Sequence, residues 1–80
     1  MRLDKYLKIS RLIKRRTVAN EACDAGRVMI NGKVAKASAD VKIGDVIEIQ
    51  FGNKTVKVKI TGITESTKKE DAKDLFEYLQ

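Results

Sequence analysis

Apolar positions along this chain recur first at helical and then at alternating spacing. Leu3, Tyr6 and Leu7 stand at i, i+3 and i+4, which predicts a short helix over residues 2–8. Asp4 falls in its first turn, where a carboxylate suits the positive end of the helix dipole. Ile9, Leu12 and Ile13 drop out of that phase, so a break is expected near Ser10, with one further turn over 11–15. Val18, Ala19, Ala22 and Cys23 form a second helical stripe over 18–24, with Thr17 as N-cap and Gly26 as left-handed C-cap.

The pattern then turns β-like. Residues 27–30 read as a strand closed by Asn31-Gly32, the pair that type I′ hairpins prefer, and 33–35 can return from it. Residues 36–40 are loop-like, 41–43 run apolar–polar–apolar, and Gly44-Asp45 marks a turn. Residues 46–51 are rich in β-branched side chains, Gly52-Asn53 turns again, and 55–61 alternate strictly, with Lys57 and Lys59 on the solvent face. Thr67-Lys-Lys-Glu70 is a capping box, and Ala72, Leu75, Phe76 and Leu79 follow it at helical spacing, which predicts a C-terminal helix.

These elements make one α+β domain of 80 residues, with helices at the N-terminal side of a small sheet. Hydrophobic residues at 42% support a core, while 35% charged residues demand a well-solvated surface. The lone Cys23 cannot form an internal disulfide, and with no His the usual zinc spacings are missing. Its place on the second helical stripe suits a small buried hydrophobe better than a reactive thiol. No apolar run is long enough for a transmembrane helix or a signal-peptide core, so a cytosolic protein is expected.

Charge changes the picture more than composition does. Residues 1–36 carry ten basic side chains against three acidic ones, or +7, whereas 37–80 carry seven against eight, or −1. The cations are therefore a patch, which favours a polyanionic partner, nucleic acid before an anionic membrane. Arg11, Lys14, Arg15 and Arg16 place four cations in six residues, which repel one another unless an anion is near. They precede a helix N-terminus, whose N–H groups also favour anions. Arg2, Lys5, Lys8, Arg11 and Lys14 share a three-residue spacing that spirals around one straight helix, so only a break lets them converge. Stacking aromatics are few and dispersed (Tyr6, Phe51, Phe76, Tyr78), which favours structured RNA over single strands.

Catalytic constellations are missing. The sequence has no His, no Ser/His/Asp set and no Gly-rich nucleotide loop, and Asp40 and Asp45 read as turn residues. A non-enzymatic binder without metal or cofactor is the expectation.

The ordered segments Arg2-Leu-Asp-Lys-Tyr-Leu7, Arg16, Ala19, Gly26-Arg-Val-Met-Ile-Asn-Gly32, Lys36-Ala-Ser38 and Val41-Lys-Ile-Gly-Asp45-Val-Ile-Glu-Ile49 resemble the S4-type RNA-binding domain. The resemblance spans about residues 2–50, with a C-terminal strand and helix over 55–80 beyond it. Family members usually carry Ser where this chain has Arg15; the departure adds charge and leaves the fold untouched. Within the family, the run from Ser10 to Ala19 looks most like the stand-alone members similar to heat-shock protein fifteen. Length and the C-terminal helix look closest to a Gram-positive relative in ribosome-associated quality control.

The resemblance implies an αL corner, in which two short helices present a cationic groove backed by a small, mostly antiparallel sheet. It also implies a cytoplasmic, monomeric factor on large (50S) ribosomal subunits obstructed by peptidyl-tRNA. Such a factor would contact rRNA and tRNA and support C-terminal tailing of the stalled nascent chain by a partner tailing factor. Arg2 and Arg16 match the family's RNA-facing arginines. Together with the charge pattern, the candidate RNA-binding set is Arg2, Lys5, Lys8, Arg11, Lys14, Arg15, Arg16, Arg27 and Lys36. Rival readings are a heat-shock-type factor recycling free 50S subunits with peptidyl-tRNA, an accessory module of an RNA-modifying system, and a protein-binding module using the C-terminal helix.

Overall fold

The computed structural model describes residues 1–63 and 75–79. Two helices, α1 (Leu3–Ile9) and α2 (Arg16–Asp24), precede five strands: β1 (Val28–Ile30), β2 (Lys33–Val34), β3 (Val46–Phe51), β4 (Lys54–Ile60) and β5 (Phe76–Tyr78). All strand pairs are antiparallel, in the order β2-β1-β3-β4-β5. Among the described residues no helix is long and apolar enough to cross a membrane.

Alternation along the strands produces a one-sided sheet. Val28, Ile47, Ile49, Val58 and Ile60 are fully buried, and they share the core with Leu3, Tyr6 and Leu7 of α1 and Ala19 and Cys23 of α2. The opposite face is polar: Lys57 stands across from Glu48 in the ladder and pairs with it at 3.7 Å, while Lys59 is exposed. Asn31 adopts φ 52° and Gly32 φ 82°, the positive angles a type I′ turn needs, and join Ile30 to Lys33. Asp45 is buried because its carboxylate accepts the Lys42 N–H at 3.0 Å and the Asn31 Nδ2–H at 3.2 Å, so it is a turn residue as its neighbours suggested.

Both helices end in a residue of the left-handed region. After α2, Gly26 (φ 74°) donates to the Cys23 carbonyl and Arg27 to that of Ala22, a Schellman closure. After α1, Ser10 is the C-cap and Arg11 occupies the equivalent position at φ 62°, donating to the Lys8 carbonyl. The expected break at Ser10 is therefore present, but the expected helical turn over 11–15 is a bend. Ile13 is buried there, and its N–H donates back to the Leu7 carbonyl at 3.0 Å.

Two other expectations are corrected. Thr17 is not the N-cap: α2 starts at Arg16 with Arg15 as cap, and no side chain caps it. The earlier start puts Arg16 in the first turn, within reach of Asp4 on α1. The end of the predicted C-terminal helix is strand β5, because Phe76, Glu77 and Tyr78 continue the ladder opposite Ile60, Lys59 and Val58. The capping box at 67–70 and Ala72 lie outside the described residues. Tyr6 anchors the chain leading into β5, its hydroxyl donating to the Leu75 carbonyl at 2.6 Å in the core.

Candidate RNA-binding corner

The corner between α1 and α2 is built around one carboxylate. Asp4 follows Leu3 and precedes Leu7 by three residues, so it shares the core-facing side of α1 and is only 2% exposed. Burial of a charge is costly without partners, and Asp4 has four. The Lys5 N–H donates to Oδ1 at 2.8 Å. Arg2 approaches both oxygens, Nε at 3.3 Å from Oδ1 and Nη2 at 3.3 Å from Oδ2. Arg16 mirrors it, with Nε at 3.4 Å from Oδ2 and Nη2 at 3.4 Å from Oδ1. Asn20 Nδ2, one turn further along α2, donates to Oδ2 at 3.4 Å.

Burial on its own would raise the Asp4 pKa. The Arg16 hydrogen bond, the Lys5 N–H and the charges of Arg16 and Arg2 outweigh it and hold the carboxyl below its ordinary 3.8. The carboxylate is thus ionised at neutral pH, and two guanidiniums share it with a net charge of one cation. Their side chains remain 50% and 46% exposed, so each keeps N–H groups for a second anion.

An open groove of about 540 Å³ lies over this cluster, lined by Arg2, Asp4, Arg16, Thr17, Asn20 and Glu21. A second groove of about 650 Å³ shares Arg2 and Asn20 with it and reaches Lys36 and Ser38 on the loop after β2. Arg2 is held there by backbone pairing as well, as an antiparallel bridge to Asp40 and a Leu3 N–H to Ala39 carbonyl bond of 2.8 Å.

Of the nine candidate cations, the structure brings Arg2 and Arg16 together on Asp4 and Lys36 to the adjoining groove. Lys5 and Lys8 lie along α1, Arg11 and Lys14 in the bend, and Arg15 at the start of α2. Lys5 is half-buried and the other four are exposed. Arg27 lies beyond the C-terminal end of α2, whose nine residues span about 13 Å, so the helix separates it from Arg16. Sequence reasoning took Asp4 for a dipole partner and did not single out Asn20. The signal for Asp4 was its three-residue spacing from Leu7 inside an apolar stripe, which puts a charge where a charge needs partners.

Cys23, beneath the second groove, is buried, and that burial, followed by the charges of Asp4 and Asp24, pushes its thiol up to about 11. It is a packing residue, as its stripe position implied.

Comparison with known proteins agrees with this architecture. The model of the S4 domain matches residues 1–47. The RQC P-site tRNA stabilizing factor of Streptococcus pneumoniae is 57% identical over 79 residues, covering 99% of this chain and 90% of the relative. The factor of the same name from Bacillus subtilis is 54% identical over 80 residues, 100% of this chain and 93% of its own. The trimeric structure of Vibrio cholerae heat shock protein 15 superposes with a TM-score of 0.91 at 31% identity, covering 99% of this chain and 81% of that one. With the two helices, the paired arginines and the antiparallel sheet in place, the chain belongs to the S4 domain family.

Proposed function

We propose that this protein is an RNA-binding factor of ribosome-associated quality control. It binds 50S subunits obstructed by peptidyl-tRNA, contacts rRNA and tRNA through the α1–α2 corner, and stabilises the P-site tRNA. The observation that carries the reading is the pair Arg2 and Arg16 on one buried carboxylate, half-exposed beside an open groove. Planar guanidiniums fixed in this way suit bidentate contacts to phosphate oxygens. Relatives more than half identical over nearly the whole chain carry the name P-site tRNA stabilizing factor, which supplies the ribosomal context.

Lys5, Lys8, Arg11, Lys14, Arg15, Arg27 and Lys36 extend the cationic surface along the RNA backbone. The protein acts in the cytoplasm as a monomer and without catalysis of its own, and a partner factor tails the nascent chain while the tRNA is held. Likeness to heat shock protein 15 favours a second reading, in which the same corner serves recycling of free 50S subunits with peptidyl-tRNA.

Co-sedimentation of tagged wild type and Arg16→Ala from cell extract on a sucrose gradient tests the reading, with rRNA and peptidyl-tRNA assayed across the fractions. Wild type should travel with 50S subunits and tRNA, and Arg16→Ala should stay at the top. Wild type at the top, or spread equally over 30S subunits and bulk RNA, would refute it. Loss of nascent-chain tailing on deleting the protein separates quality control from recycling alone.

A further inference from the structure

Glu21 and Asp4 both line the groove over the paired arginines, and a negative charge in a polyanion site ordinarily weakens binding. Asp4 differs from Glu21 in being buried and in touching both guanidiniums. We propose that Asp4 is a positioning residue for RNA phosphates, so that removing its negative charge weakens RNA binding. The proposal rests on the reading of this corner as the RNA site.

The argument is geometric. Arg2 lies before α1 and Arg16 in the first turn of α2, and nothing in either helix alone orients one guanidinium against the other. The Asp4 carboxylate does so by receiving Nε and Nη2 of each, through opposite oxygens. Two like charges this close would otherwise separate into solvent, since long side chains regain rotamer entropy when released. The edge of each guanidinium that faces Asp4 is used up, and the remaining N–H groups are the ones left for a ligand. Asn20, donating to Oδ2, fixes the carboxylate plane from α2. Deleting the carboxylate therefore frees two arginines from one geometry and leaves their charge unchanged.

Asp4→Asn, Arg2→Ala/Arg16→Ala, the triple variant and Arg2→Lys/Arg16→Lys would be titrated against purified 50S subunits carrying peptidyl-tRNA over a series of KCl concentrations. Circular dichroism melts would be recorded beside them. Asp4→Asn should weaken binding on the order of ten-fold, the loss expected for one charge-assisted hydrogen bond, although the protein gains a unit of net charge. The triple variant should bind no more weakly than the double alanine variant, because the loss passes through the two arginines. The lysine pair, which keeps the charge and lacks the fork, should weaken binding as well and covers the case in which Asp4→Asn does not fold. Binding by Asp4→Asn as tight as wild type would overturn the proposal. So would an equal further loss in the double alanine background, or wild-type affinity in the lysine pair. If wild type and the double alanine variant bind alike, the RNA-corner reading itself fails and the proposal falls with it.

Discussion

Arg11 provides the sharpest separation of backbone from side chain in this molecule. At φ 62° it holds the left-handed position that closes α1, where Gly26 serves α2. An L-residue there costs roughly 1–2 kcal/mol, because Cβ crowds the following carbonyl. Glycine avoids that cost but loses about 0.5–1 kcal/mol more backbone entropy on folding. Arg11→Gly should therefore stabilise the fold by about 0.5–1 kcal/mol net, a rise in Tm of about 2–8 °C for a chain of this size. Arg11→Ala keeps Cβ and the strain, so its Tm should stay below that of Arg11→Gly while both lose the same cation. If Arg11 contributes one phosphate contact, both variants should lower the magnitude of the log–log salt slope by about 0.7–0.9 and bind 50S subunits less tightly. Thermal melts of the three proteins read the first effect, and binding across KCl concentrations reads the second. Equal melting of the Gly and Ala variants would refute the strain argument. Wild-type binding by Arg11→Ala would show that the Arg11 side chain makes no phosphate contact.

Tyr6→Phe should cost only about 0.5–1.5 kcal/mol in denaturant unfolding and leave RNA affinity unchanged. The Leu75 carbonyl that loses its 2.6 Å hydroxyl donor still accepts the Thr61 and Gly62 N–H groups at 2.9 and 3.1 Å, so a loss above about 3 kcal/mol would contradict this accounting. The Cys23 thiol should resist disulfide-exchange reagents in the native protein at pH 8 and react at once in denaturant. Its pKa is raised from 9.0 to about 11, so its contribution to stability is full below pH 9 and fades as pH climbs through 11, and fast native labelling at pH 8 would show that the thiol is not enclosed.

Local signals read well from the sequence. Richness in β-branched residues located β3 and strict alternation β4, Asn31-Gly32 the hairpin, and Gly26 the end of α2, because each depends on a residue's own backbone preference or on neighbours within a few positions. Failures came where distant parts of the chain decide. Leu75, Phe76 and Leu79 satisfy a helical spacing, but the open edge of β4 offers backbone partners to Phe76–Tyr78 that the pattern cannot register. Thr17 is a good N-cap by type, but Asp4 on the other helix draws Arg16 into the first turn. The break after α1 was legible at Ser10 from the lost helical phase, but the turn expected over 11–15 is a bend, because Arg11 takes the left-handed position and Ile13 turns inward to the core.

The cationic corner follows the same division. Its charge was legible in the first 36 residues, since ten basic side chains against three acidic ones need no fold to be counted. Which cations share a counter-charge was not legible from spacing, although the family resemblance singles out Arg2 and Arg16, because proximity here is created by the bend after α1 and by a shared carboxylate. The bend turns the chain so that Arg16 returns to the start of α1, fourteen positions from Arg2 in sequence and one carboxylate away in space. A regular three-residue spacing of cations therefore carries less information than the single buried anion among them. Repulsion disperses exposed like charges, and only a desolvated, hydrogen-bonded counter-charge holds two of them in register. In a small basic domain, the acidic residue inside an apolar stripe is the place to look for the geometry of the site.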